Sequence, residues 1–345
     1  MPSSETHPSD STTYVPIDKP WRRYRVLVVT NLWPTKQDPG WGSFVQAQME
    51  SLRPHGVEYD VLFMNGRESY ANYVKAVFEL QRRLTETKYD LIHAHFGLSG
   101  LVARAQWRVP VVVSFMGDDV LGQFDREGRN SLVGLFYQLS SFALARCVSA
   151  VIVKSEQMKQ RLRLSSGRVI PNGVNLDLFR PIDRGEARRV LGLDDRRKYV
   201  LFPYDPSVTR KRFDLLQEAV KLARAQLPEL EILRVVGVPR PQMPLYFNAA
   251  EVLVLLSYGE GSPNAVKEAM AVNLPVITVD VGDSRDLIGR TEGCHLVSPR
   301  ADEIAARIID VCRRGTRTKG REWIARYSEE TIAREVFDVY ASVVG

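Results

Sequence analysis

Val252-Leu-Val-Leu-Leu256-Ser-Tyr-Gly-Glu260-Gly-Ser-Pro-Asn-Ala-Val-Lys-Glu268-Ala-Met-Ala271 reads as a strand, a break and a helix. The run Val252–Leu256 is apolar without alternation, as a parallel strand covered on both faces is. A Gly-Ser-Pro break follows, where Ser262 is placed to cap a helix and Pro263 to begin it. The N–H groups of Asn264 and Ala265 then open toward the strand end, and such a helix start attracts a phosphate or diphosphate. Glu260 and Glu268 bracket the break. Glu268 shares a helical face with Ala265, Ala271 and Val272, where a carboxylate is better suited to accept hydroxyl hydrogen bonds than to sit as a solvated charge. Anion binding and hydroxyl binding are expected within one short stretch.

The same alternation continues on both sides. Before this stretch, strands are expected at Arg25–Thr30, Tyr59–Met64, Leu91–Ala94, Val109–Phe115 and Ala150–Val153. Helices are expected between and after them at 43–53, 70–86, 98–107, 129–146 and 156–164. A turn-rich passage over 171–198 holds one short helix at 184–191. A second set has strands at Tyr199–Phe202, Ile232–Val236, Val252–Leu256, Val276–Val279 and His295–Val297, then helices at 301–314 and 328–343. The pattern predicts an α/β chain of two doubly wound, Rossmann-like domains facing across a cleft at the carboxyl ends of their strands. The expected division is a loose tail over 1–22, a first domain over 23–175, a linker over 176–198, a second domain over 199–327 and a closing helix over 328–345.

The length of 345 residues suits two domains, and the net charge of +6 is compatible with an acidic ligand. Cys147, Cys294 and Cys312 are scattered, which argues for a reducing compartment and against a disulfide framework. No long uncharged apolar run predicts a transmembrane helix, and the N-terminus lacks the order of a secretory signal. A cytoplasmic protein is expected. The absence of G-x-G-x-x-G weakens a dinucleotide dehydrogenase. The run Arg313, Arg314, Arg317, Lys319 and Arg321 has Trp323 as its one aromatic neighbour, and reads as a helix end with no nucleic-acid role.

Other candidates stand at strand ends. His93 and His95 fall on one side of their strand and read as cleft contacts; no further ligands cluster there, so no metal is expected. Gly117-Asp-Asp119 follows the next strand, where a carboxylate binds hydroxyls or exchanges protons, with a turn or helix cap as the plain alternative. Arg210-Lys-Arg212 stands at a strand-to-helix junction, and three cations there suit a diphosphate. Gly40 and Gly42 open the first helix and let backbone approach a ligand, although an ordinary turn is the commoner reading. Arg82, Arg83, Lys159, Arg161 and Arg163 beside Leu80, Leu84 and Leu162 offer a surface for peripheral contact with anionic lipid; ordinary amphipathic packing is the commoner case.

These residues resemble the family-4 glycosyltransferases of the GT-B fold. The carriers are Glu260-Gly-Ser-Pro…Lys-Glu268-Ala-Met-Ala271, Leu274-Pro-Val-Ile and Val281-Gly-Asp283. Upstream they are Val169-Ile-Pro-Asn-Gly-Val-Asn-Leu-Asp-Leu-Phe179, Asp90-Leu-Ile-His-Ala-His-Phe96 and Asn31-Leu-Trp-Pro…Gly-Ser-Phe44. The likeness covers about residues 24–343 and is nearest to the subgroup that builds cell-envelope and teichuronic-acid-type polysaccharides.

The resemblance implies a retaining, metal-independent transfer of a hexose from a UDP- or GDP-sugar to a glycan or lipid-linked acceptor. The nucleotide-sugar is a co-substrate, and no cofactor is expected. Glu268 would take the ribose hydroxyls and Glu260 the donor-sugar hydroxyls. The backbone of Gly261, Ser262, Pro263, Asn264 and Ala265 would hold the donor phosphate or sugar, with Asn172 nearby at the hinge. Lys211, with Arg210 and Arg212, would neutralise the leaving diphosphate. Gly40 and Gly42 would shape the cleft floor, and the last helix would cross back onto the first domain. Met116 stands where the family carries a histidine at the donor sugar, which leaves His95 or Asp119 to serve there. Asp205-Pro206 stands where an arginine is usual. Two competing readings stay open: a non-catalytic GT-B scaffold that binds nucleotide or glycan, and a sugar-nucleotide epimerase.

Overall fold

A computed structural model describes residues 23–122 and 130–345; the tail expected over 1–22 lies outside the described residues. Each apolar run becomes a strand whose side chains alternate between two cores. In β1 (Tyr24–Thr30), Leu27 and Val29 enter one core and Val26 and Val28 the other, the period of two that a strand imposes. β1 pairs in parallel with β2 (Val57–Phe63) and β3 (Leu91–His95). With β4 (Val111–Ser114), β5 (Ala150–Val153) and β6 (Arg168–Val169) they form a parallel sheet in the order β2-β1-β3-β4-β5-β6.

The second sheet holds β7 (Lys198–Phe202), β8 (Leu230–Arg234), β9 (Val252–Leu255), β10 (Val276–Thr278) and β11 (His295–Leu296). They too are parallel, in the order β11-β10-β9-β7-β8. Val252 and Val254 enter one core, and Leu253 and Leu255 the other. The strand order reverses at β1/β3 in one sheet and at β7/β9 in the other. Ligands of such folds bind beyond the carboxyl ends of the strands, at these switch points. Register levels those ends: Thr30 pairs with His95, and His95 with Ser114.

The last helix, Glu329–Val344, packs on the first sheet, where Ile332, Val336 and Tyr340 join Val26, Val28 and Val112. The outgoing and returning chains touch between the halves. Val174 donates its N–H to Tyr327 O at 2.9 Å, and Glu329 donates to Val174 O at 3.1 Å.

The helices Arg184–Leu191 and Ala301–Arg314 have the bounds the sequence predicts. β8 runs over Leu230–Arg234 rather than 232–236, because Leu230 is buried while Val236 is exposed. β6 escapes a sequence reading because two residues carry no period. The apolar residues weighed for lipid contact turn inward. Leu80 and Leu162 are buried in the first core, Leu84 packs against it, and Arg82 and Arg83 pair with Glu79 and Glu86. Among the described residues no helix is long and apolar enough to cross a membrane. The basic C-terminal run is largely used internally: Arg321 donates to the carbonyls of Phe179, Ala271 and Leu176, and Arg317 to that of Asn248.

Candidate active site

Loops from both sheets meet around a cavity of about 500 Å³. Asn31, Leu32 and Trp41 come from the segment after β1, Phe96 from that after β3, and Met116, Gly117 and Asp118 from that after β4. Arg210, Glu260 and Gly261 face them from the second half. The walls touch at Gly261, where a Cβ would lie 2.6 Å from Met116 O, so the approach requires glycine.

Tyr258 donates its N–H to Arg210 O at 3.0 Å, which joins the loops after β7 and β9. Lys211 Nζ then lies 2.6 Å from Glu260 Oε1, and the Arg210 guanidinium 3.1 Å from Oε2. Arg210 also faces Asp118 across the cleft at 3.6 Å. Burial by itself would raise the Glu260 carboxyl; the charges of Lys211 and Arg210 prevail and hold it at about 2. Arg212 leaves this group. Its φ is 53°, and its guanidinium stands 4.7 Å over the Tyr258 ring in a separate surface cavity. Two of the three expected cations therefore converge.

The helix Asn264–Ala271 begins one residue later than its sequence suggests, with Pro263 as N-cap and no capping side chain. Ser262, expected as the cap, instead donates to Asp283 Oδ2 at 2.7 Å and accepts from Lys267 Nζ at 2.8 Å. The hydroxyl thus shapes the loop, and the first helical amides have no partner within the helix. Burial pushes Asp283 up to about 6 and Lys267 down to about 8. Glu268 lies 3.7 Å from Arg240, which is also 3.7 Å from Glu329. Burial raises the Glu268 carboxyl, and Arg240 opposes it. Asn172 Nδ2 approaches Asn264 Oδ1 at 3.4 Å. Arg240 is a neighbour that sequence spacing does not reveal.

The first-half wall departs further from expectation. His93 and His95 are fully buried and do not line the cavity. His93 meets the hydroxyls of Tyr340 at 2.6 Å and Ser114 at 2.8 Å, and the His95 ring lies 4.1 Å from its own. Asp119 is also fully buried: it accepts the N–H groups of Gly97 at 3.0 Å, Met116 at 3.0 Å and Gly117 at 2.8 Å. It fixes the loop that carries Met116, while burial pushes its carboxyl up to about 6. Its neighbour Asp118 faces the cavity instead. Gly42 has a φ of 69° and touches the Leu32 backbone, whereas Gly40 is exposed; Trp41 and Phe44 line the cavity beside them. Lys154, just past β5, is 1% exposed and its Nζ has no partner. Burial, then the charge of Lys267, lowers it to about 7. A lysine directly after an apolar strand was the available signal for it.

Residues 21–178 match the family described as Glycosyltransferase Family 4, and residues 206–314 the one described as Glycosyl transferases group 1. TuaC of Bacillus subtilis (strain 168), provisionally described as a teichuronic acid biosynthesis glycosyltransferase, is 25% identical over 350 residues, covering 83% of this chain and 88% of that protein. The Escherichia coli UDP-Gal:alpha-D-GlcNAc-diphosphoundecaprenol alpha-1,3-galactosyltransferase is 26% identical over 255 residues, covering 62% of this chain and 64% of that protein. The solved sucrose-phosphate synthase from Thermosynechococcus elongatus is similar with a TM-score of 0.77 at 22% identity, covering 93% of this chain and 99% of that one. At this identity the likeness speaks for the fold. Two parallel sheets face across a cleft, and the chain has the two-domain GT-B fold, with a Glycosyltransferase Family 4 match over its first half and a Glycosyl transferases group 1 match over its second.

Proposed function

We propose that the protein transfers a sugar from a nucleotide-sugar, with UDP favoured over GDP, to a glycan or lipid-linked acceptor in cell-envelope or exopolysaccharide synthesis. Transfer retains the anomeric configuration and needs no bound metal or further cofactor. One observation carries the reading: Lys211 and Arg210 converge on Glu260 beside a helix start that no side chain caps. The UDP-galactose and diphosphoundecaprenol in the name of the Escherichia coli relative support the donor and acceptor classes.

Glu268 accepts from the ribose hydroxyls and Glu260 from the donor sugar. The N–H groups of Gly261, Ser262, Asn264 and Ala265 and the cations of Lys211 and Arg210 receive the diphosphate. The anomeric carbon–oxygen bond to the diphosphate breaks, and a bond to the acceptor hydroxyl forms on the same face. The hydroxyl proton passes to the departing diphosphate oxygen. The cytoplasmic face of the membrane suits this chemistry, and the three free cysteines agree with a reducing compartment.

A panel of UDP- and GDP-sugars, incubated with purified protein and cell-envelope lipid extract, tests the reading. Acceptor-dependent nucleotide release that persists in EDTA, with an anomeric proton of retained configuration by NMR, is the expected result. Met116 at the cavity favours a second reading, a scaffold that binds donor without turnover. Binding without release from any donor would establish it, and donor conversion without acceptor would establish an epimerase.

A further inference from the structure

A second cavity, of about 670 Å³, opens on the outer side of the first half. It lies between the helices Ala71–Glu86, Gly97–Ala103 and Leu132–Leu144. Its walls include Val74, Val77, Leu98, Leu101, Val133 and Phe136. The three helices already bury other faces in the core through Leu80, Val102 and Leu144. They therefore carry more apolar surface than the core uses. Phe136 is 57% exposed, and Leu132 at the rim 86%. A soluble chain leaves such a patch open where something binds.

The groove runs into the candidate active site. Tyr70, Tyr73 and Tyr137 line both cavities. The Tyr73 hydroxyl accepts from Asn31 Nδ2 at 3.0 Å, which holds the shared wall in place. An apolar trough thus ends at a polar cleft that holds Arg210 and Glu260. That sequence of surfaces matches a molecule with a long apolar chain and a polar, glycosylated head.

We propose that this groove binds the isoprenoid or alkyl chain of a lipid-linked acceptor and feeds its head into the cleft. The inference rests on the lipid-linked alternative within the proposed function. The volume lies in the range of small-molecule sites. A concave trough suits one chain rather than a bilayer surface, and the nearby cations Arg82 and Arg83 are already paired with glutamates. A second copy of this chain seated in the trough would block the tyrosine-lined entrance to the cleft.

The test is titration of the full chain with hexyl, octyl and decyl phosphate as monomers, with UDP binding measured in parallel. Affinity should rise about fourfold per added methylene, the factor that corresponds to burying one such group. Val74→Asp and Phe136→Asp change solvent-exposed groove positions outside the cleft and should each lower decyl phosphate affinity about tenfold or more while leaving UDP binding intact. Affinity independent of chain length, or unchanged in both variants, overturns the proposal. So does binding to phosphatidylglycerol vesicles without binding to the monomeric phosphates, which assigns the patch to a bilayer. A dimer in sedimentation velocity that Phe136→Asp dissociates assigns it to a second copy and overturns the proposal as well. Loss of UDP binding in the unaltered protein counts against the donor reading alone, since the alkyl series is read separately.

Discussion

Lys211 and Lys154 are both buried lysines, and their surroundings give them opposite expectations. Lys211 is tied to Glu260 at 2.6 Å and, in the proposed transfer, faces the departing diphosphate. Lys211→Ala should lower kcat by roughly a hundredfold, the scale for losing one preorganised charge stabiliser, in a donor-turnover assay. Lys154 has no partner, and its folded value of about 7 lies below the ordinary 10.5. The unfolded chain therefore binds more protons between those values, and the fold gains stability as pH rises through that window. Lys154→Met removes this dependence. By differential scanning fluorimetry it should raise Tm by about 5 °C at neutral pH, an advantage that shrinks as pH approaches 10.5.

The strand, break and helix around Glu260–Glu268 were legible as elements because their pattern is local. An apolar run, a Gly-Ser-Pro break and two carboxylates need no distant partner to be read. Groups completed from far along the chain were not. The role of His93 depends on Tyr340, which belongs to the last helix and supplies a hydroxyl at 2.6 Å. Glu268 acquires Arg240 from the segment after β8. Of two adjacent aspartates, the one spent on three backbone amides cannot be chosen from sequence, because the loop geometry makes the choice. Tyr340→Phe isolates the packing of the last helix on the first sheet. It leaves a buried imidazole nitrogen without its partner and should cost about 1–3 kcal/mol in chemical denaturation.

At the scale of the whole molecule, both sheets aim their carboxyl ends at one cleft, which the alternation of strands and helices already implied. How closely the walls approach was not legible, since it depends on Gly261 meeting the Met116 carbonyl from the opposite half. Gly261→Ala inserts a methyl into that contact. Steady-state kinetics should show kcat lower by about tenfold or more, because a misplaced wall disturbs the reacting geometry.

The central claim is that the Glu260–Glu268 segment forms a nucleotide-sugar donor site, and calorimetric titration of UDP into the unaltered protein and Glu268→Ala tests it most directly. Saturable binding that weakens about tenfold to a hundredfold in a folded Glu268→Ala variant is the expected result, the scale of losing hydrogen bonds to a charged acceptor. Equal affinity in the two proteins, or no saturable binding of UDP or GDP to either, would contradict it.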